Sequence, residues 1–491
     1  MSDSLDIFLF CYIIFYWNKP FSEGDEDLEE VRKIKNNDFT EGAIFGKLIK
    51  FALPLMATGM LQMLYNASDM IVVGRFSPSG ENSMGAVGAC SALINLILNL
   101  FMGLATGAGV LAAQNIGAKK YDHLKRVLDT SVVTSLVCGV VLAVFGFLMA
   151  EPLLTLMGTP DAVIVEAVPY MKAYFVGVPA CMLYNFLAAI LRSSGDSKRP
   201  LIFLAVSGLC NVGLNLIMVL CFSMGAVGVG IATAAAQYIS AIMIFIYMSR
   251  ADIVCKIDLK GIKPDKEKLL SMIRIGMPAG VQGMLFSISN VLMQSTVNTY
   301  GDIVVNGNAA AANIEGFVYI CMNAMYHSTL TFVGQNVGAG KYDRLKKIIF
   351  QNAMLVTGVG LVIGAAVTIF HEPLLQIYAP ESAAVRDAAA IRLYMICSTY
   401  FFCGLMEVGC GAVRGMGKAI LPMVVSLTGS CLLRIVWIYT ICPFFPGNIY
   451  VLYLCYPITW VVTSAAHFIC SAVVSKRMKY AALAKKSGAQ A

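Results

Sequence analysis

The chain has 491 residues, 58% apolar and only 13% charged, with a mean hydropathy of +0.73. A soluble protein carries roughly twice that charged fraction, so a water-soluble globular domain is excluded and an all-α polytopic membrane protein is expected. The net charge of +7 is no sign of a nucleic-acid partner, because the basic residues cluster in short loops between apolar runs. The fifteen cysteines lie mostly inside those runs, with no C-x-x-C pair, and read as small packing residues.

Two readings of residues 1–46 stand: a cytoplasmic tail with an interfacial helix, or sequence ahead of a start near Val31. Ile7 to Trp17 is apolar but too short to span, and it lacks the basic n-region and cleavage site of a signal peptide. The acidic stretch Gly24 to Glu30 follows it.

The first span sets the theme. Eighteen uncharged residues separate Lys50 from Asp69, enough to cross most of a bilayer as a helix. An aspartate near the end of such a helix is costly unless it faces water or a partner, and reads as a functional group facing a cavity, beside Tyr65, Asn66 and Ser68, the alternative being a solvated interfacial residue. Thr58, Gln62, Tyr65, Asn66 and Asp69 recur at spacings of three and four, which predicts one polar stripe facing protein or water.

Eleven further apolar segments follow. The first half holds spans near 48–74, 84–112, 127–150, 163–191, 200–222 and 226–249. The second holds 269–299, 307–334, 348–370, 387–412, 419–442 and 449–474. Basic residues fill alternate loops: Lys119 to Arg126, Arg192 to Arg199, Lys256 to Lys268, Lys341 to Lys347, Arg414 with Lys418, and Lys476 to Lys479. By the positive-inside rule both termini are cytoplasmic. The expected domains are a six-helix half at 47–249, a basic linker at 250–268, a second six-helix half at 269–475, and a basic tail at 476–491.

The halves repeat. Gln114-Asn-Ile-Gly-Ala-Lys-Lys-Tyr-Asp122 matches Gln335-Asn-Val-Gly-Ala-Gly-Lys-Tyr-Asp343 at an offset of 221, as Glu151-Pro-Leu-Leu154 matches Glu372-Pro-Leu-Leu375. Arg192, Gly195 and Pro200 match Arg414, Gly417 and Pro422 at 222; Pro54, Gly59 and Asn66 match Pro278, Gly283 and Asn290 at 224. Six spans per repeat give both the same orientation, with a solute path between them.

These paired blocks, the LYNASD end of the first span and the R-x-x-G…P loops resemble the multidrug and toxic compound extrusion (MATE) family, within it the bacterial branch related to DNA-damage-inducible protein F. The resemblance runs from about Ile44 to Ser475. It implies a V-shaped pair of six-helix lobes and antiport of amphipathic, often cationic, compounds against protons or sodium. It also implies small-molecule substrates, a lipid surround, no cofactor beyond the coupling ion, residence in the inner membrane of a bacterium, and action as a monomer.

Residues without a counterpart in the other repeat are candidates for asymmetric work. Asp69 has Met293 opposite it, Glu315 has Leu93, Glu407 has Asn185 and Arg434 has Val212. The resemblance makes Asp69 the ion-responsive residue, grouped with Tyr170 in PYMKAY, Asn211 and Asn215 in NVGLN, and Thr233 in GIAT. Relatives commonly carry a second aspartate where Asn215 stands, so sodium is less well held here and a proton is the favoured coupling ion. Glu315, Glu407 and Arg434 form the rival site, since other branches place essential acids in the second half. The blander alternative for Glu407 is a structural ion pair with Arg434.

Other readings are weaker. Gly340-Lys341 and Gly417-Lys418 are not followed by Ser or Thr, so no phosphate-binding loop supplies an ATP drive. No nucleophile–base or H-E-x-x-H constellation lies within the spans, so an enzyme is not expected. His327 and His467 sit singly on apolar helices and read as packing residues. A lipid-linked oligosaccharide flippase remains the alternative function, disfavoured because only Arg434 reads as a deep basic residue.

Overall fold

The computed structural model describes residues 38–77, 80–380 and 382–488; of the expected tail at 1–46, residues 1–37 lie outside them. Among the described residues there are helices and no strands. The first half forms α1 (Ile44–Phe76), α2 (Gly80–Gly117), α3 (Tyr121–Leu156), α4 (Asp161–Ser193), α5 (Lys198–Leu216) and α6 (Gly225–Arg250). The second forms α7 (Lys266–Val297), α8 (Asp302–Gly338), α9 (Tyr342–Ile369), α10 (His371–Tyr378), α11 (Ala383–Cys397), α12 (Tyr400–Gly415), α13 (Ile420–Ser426), α14 (Leu433–Thr440) and α15 (Ile449–Gly488). Helix satisfies the backbone internally, which a bilayer demands of every spanning segment.

Ten of the described helices are long and apolar enough to cross a membrane, the run from Ile420 to Phe444 counting as one. Pairing α11 with α12, which meet at a bend of 44°, gives an eleventh. The twelfth expected span is α8, whose 37 residues suffice in length. Its composition is the reason it falls short: Asn306, Asn308, Asn313, Glu315, Asn323 and His327 interrupt the apolar run. One side of it packs in protein, with Ile314, Glu315, Val318, Cys321, Met322 and Met325 all buried. By contrast α3 turns Val137, Val140, Val141, Val144 and Leu148 outward, the apolar exposure expected of a lipid-facing helix.

Several boundaries differ from the sequence expectation. The basic stretch after Ser475 continues α15 to Gly488. The linker ends at Asp265, whose carboxylate caps α7 by accepting from the backbone N–H of Glu267 at 2.8 Å and Lys268 at 3.3 Å. Those donors hold the Asp265 carboxyl below the usual range, the Lys268 bond most. π-helical turns at Ile217–Cys221 and Leu427–Leu432 interrupt the spans that carry Asn215 and Arg434.

The halves exchange their first turns. Ile44, Leu48, Phe51 and Leu55 of α1 pack in the core of the second half, with Phe332, Ile348 and Met416. Met272 of α7 packs in the core of the first, with Leu124, Leu128 and Met248. Where α2 crosses α7, Gly103 and Gly280 leave no room for side chains: a Cβ on Gly107 would stand 2.5 Å from the Met272 carbonyl oxygen. Small residues let two backbones touch where lipid gives no hydrophobic drive.

The repeated Q-N-x-G blocks close the bundle at its basic end. Gly117 lies against the Gln335 carbonyl and Gly338 against the Gln114 carbonyl, each with no space for a Cβ. Gln114 donates to the Gly415 carbonyl at 2.9 Å, and Gln335 to the Ser193 carbonyl at 2.8 Å. Each half thereby holds the other's fourth or corresponding span. The segment before α1 adds a strap. Phe39 stacks on Phe332 with centroids 3.8 Å apart, its backbone N–H donates to Gln335 Oε1 at 3.1 Å, and Asn336 donates to its carbonyl at 3.1 Å.

Candidate functional site

Two sites emerge, one inside the first half and one between the halves. The first begins with α1. The expected single stripe is two rows. Thr58, Gln62 and Asn66, at intervals of four, face the cavity between the halves. Tyr65 and Asp69, also four apart, turn into the first half, where the Tyr65 hydroxyl donates to the Ala205 carbonyl at 3.2 Å. The rows lie side by side on one helix, so spacing alone does not separate them.

Asp69 is 8% exposed and outside the walls of the central cavity. Asn215 donates to its Oδ1 at 2.5 Å and also reaches Asn211 Oδ1 at 3.3 Å. Asn211 donates in turn to Thr233 Oγ1 at 3.3 Å, and Thr233 lies against the carboxylate. Asn211 and Asn215 are one helical turn apart on α5, which puts both amides on one face. Tyr170 is buried beside the group, but no hydrogen bond joins it to Asp69 among the described residues. Four of the five expected residues are thus directly linked and the tyrosine is a neighbour.

Two features give this group its chemistry. No described cation pairs with Asp69 within 4.0 Å; its partners are neutral. And Asn215, fully buried, keeps an Oδ1 without a hydrogen-bond partner. A carboxylate beside an unused acceptor can take up a proton or offer two hard oxygens to an alkali cation.

The cavity between the halves has a volume of about 960 Å³. It runs from Arg192, Leu330 and Arg414 near the closed end to Val297, the last residue of α7. Four guanidiniums line it, from Arg192, Arg392, Arg414 and Arg434, against the carboxylates of Glu315 and Glu407. The expectation of one deep arginine is therefore corrected. Arg192 and Arg414, read as loop residues, lie on the last turns of α4 and α12 and face inward. Arg392 lies on α11 and was missed, although a charge five residues inside a predicted span was its signal.

The two glutamates differ in their surroundings. Arg392 grips Glu315 through Nε at 2.6 Å and Nη2 at 2.8 Å, a buried bidentate pair braced by Asn308 and Tyr453. Glu407 makes no ion pair within 4.0 Å among the described residues, and Arg434 does not meet it. Arg434 instead lies over the Tyr456 ring at 4.3 Å and donates to Thr459 at 3.4 Å. His467 is a buried packing residue bonded to Ser426 at 3.0 Å, whereas His327 lines the cavity.

A bundle of membrane-crossing helices that walls a cavity of this size, lined by four arginines and two glutamates, is the architecture of a polytopic membrane transporter. The chain belongs to the MatE family, whose model matches residues 54–217 and 278–440, one copy in each repeat. The probable multidrug resistance protein YoeA of Bacillus subtilis is 27% identical over 392 residues, 78% of this chain and 84% of that protein. The multidrug export protein MepA of Staphylococcus aureus is 21% identical over 406 residues, 82% of this chain and 88% of its own length. Among solved structures, an outward-facing multidrug resistance MATE family transporter of the MOP superfamily superposes with a TM-score of 0.84. It is 19% identical and covers 94% of this chain and 100% of its own, a likeness of fold.

Proposed function

We propose that this chain is a secondary active exporter that moves amphipathic organic compounds out of the cell in exchange for protons or sodium ions. The relatives named as multidrug resistance and export proteins support that breadth of substrate. The basic end faces the cytoplasm, the two six-helix halves act as lobes, and the cavity between them opens alternately to each side.

The observation that carries the coupling is the Asp69–Asn215 pair with its unpartnered Oδ1. A protonated Asp69 donates to that oxygen once the amide turns over; a sodium ion takes both oxygens as ligands. Either event changes the charge and the hydrogen bonds that α1 makes with α5 and α6. Because the first turns of α1 are packed in the other half, a shift at Asp69 is carried straight to the seam between the halves.

The test is dye transport by the purified protein in vesicles, with a pH gradient or a sodium gradient imposed alone. Movement under the pH gradient alone assigns the proton, under sodium alone the sodium ion. Movement under neither overturns the antiport reading. A second reading, flipping of a lipid-linked oligosaccharide, is favoured by one observation, the four arginines of the cavity. Gradient-independent movement of a fluorescent lipid pyrophosphate would establish it instead.

A further inference from the structure

The charge of the cavity is not what a site for cations requires. Of its four arginines one is neutralised, Arg392 by Glu315. Three guanidiniums then share a single carboxylate, Glu407. A surplus of buried positive charge is costly in a membrane protein unless a counter-charge visits it.

Arg434 carries that surplus most clearly. It is 4% exposed on α14, directly after the π-helical turn Leu427–Leu432, and the other repeat has Val212 in its place. Its one described hydrogen bond runs from Nε to Thr459 Oγ1 at 3.4 Å. The terminal nitrogens have no described partner and no carboxylate lies within 4.0 Å. Glu407 and Arg434 both flank Cys403 yet do not meet. Arg414 differs, because its two terminal nitrogens are held by Tyr326 at 2.5 Å and Gln282 at 2.7 Å. The free fork of Arg434 matches the paired oxygens of a carboxylate, sulfonate or phosphate.

The surroundings fit the rest of such a molecule. Tyr456 covers the guanidinium at 4.3 Å, and Trp460, Tyr400, Phe286 and Met406 line the same cavity. We infer that the cavity takes amphipathic organic anions, with the anionic head on Arg434 and the apolar body against this aromatic wall. The inference rests on the exporter reading for its meaning as a substrate site, and it replaces the sequence-based preference for cationic compounds. The same head chemistry occurs in soluble amphiphiles and in lipid phosphates.

Binding is therefore measured apart from transport. Full-length protein in phosphatidylcholine vesicles is titrated with the fluorescent sulfonate 8-anilinonaphthalene-1-sulfonate and, separately, with the cation ethidium. Arg434→Gln should weaken sulfonate binding about tenfold, Arg434→Lys should recover most of it, and ethidium binding should not fall in either variant. Added phosphatidylglycerol that competes with the sulfonate assigns the head site to lipid phosphate; absence of competition assigns it to soluble anions. Sulfonate binding unchanged in Arg434→Gln, or lost together with ethidium binding, overturns the inference. If binding behaves as expected but no gradient drives transport, the exporter reading fails and the anion site stands.

Discussion

Asn215 gives its side-chain N–H to Asp69 at 2.5 Å while its own Oδ1 stays buried without a partner. A neutral amide in this position steadies the carboxylate without adding charge. Asp69→Asn should therefore keep substrate binding within a few-fold and lose gradient-driven efflux, read by vesicle transport beside an equilibrium titration. Asn215→Asp puts two carboxylates within hydrogen-bonding reach, and transport should gain a sodium response. Normal transport by Asp69→Asn would move the coupling elsewhere.

Glu315 and Arg392 offer a sharper energetic test. Removing one partner of a buried bidentate pair leaves an uncompensated charge and costs about 3–5 kcal/mol. Glu315→Gln and Arg392→Gln should each lower thermal stability markedly, and the double variant should recover most of the loss. Glu407→Gln, with no ion pair to break, should leave the melting temperature within a degree or two. Equal losses for Glu315→Gln and Glu407→Gln would remove the distinction drawn between them.

The seal at the basic end rests on two glutamines that reach across the seam. Gln114→Ala and Gln335→Ala should each loosen it, and the pair more than either alone. The measurement is the labelling rate of a single cysteine replacing Ala189, a residue of the cavity wall, by a membrane-impermeant maleimide. Added from the basic side, the reagent should react severalfold faster in the double variant. No change would mean that the glycine contacts alone hold the seal.

Orientation has a direct test. A reporter fused after Lys260 should read cytoplasm and one inserted at Gly447 the exterior. The opposite result at both positions would reverse the direction of transport proposed for this chain.

Much of the architecture was legible because lipid imposes a simple rule on sequence: apolar runs of spanning length, broken by charged loops. The rule is weakest at α8, placed at 307–334, where asparagines and Glu315 thin the apolar run because the helix packs in protein and lines the cavity. It failed at Arg192 and Arg414, where a basic residue at a span end reads as a loop anchor unless its direction is known. Asp69, Asn211, Asn215 and Thr233 came together because their motifs matched a family pattern, and three separate helices meet there. The pairing of Glu315 with Arg392 was out of reach, since 77 residues separate them and no repeat relates them. Nor did spacing reveal that α1 presents two polar rows to two different compartments of the protein.

The polarity of α8 has a consequence for how the protein is made. A nascent helix bearing Glu315 and a series of asparagines partitions poorly into lipid when it leaves the translocon alone. Arg392, which neutralises the glutamate, is synthesised only after α9 and α10. Stable insertion of α8 is therefore expected to wait for α11, so that the two enter the bilayer as a neutral couple. A chain truncated between Ile369 and Ala383 would leave α8 waiting at the membrane surface, within reach of proteolytic quality control.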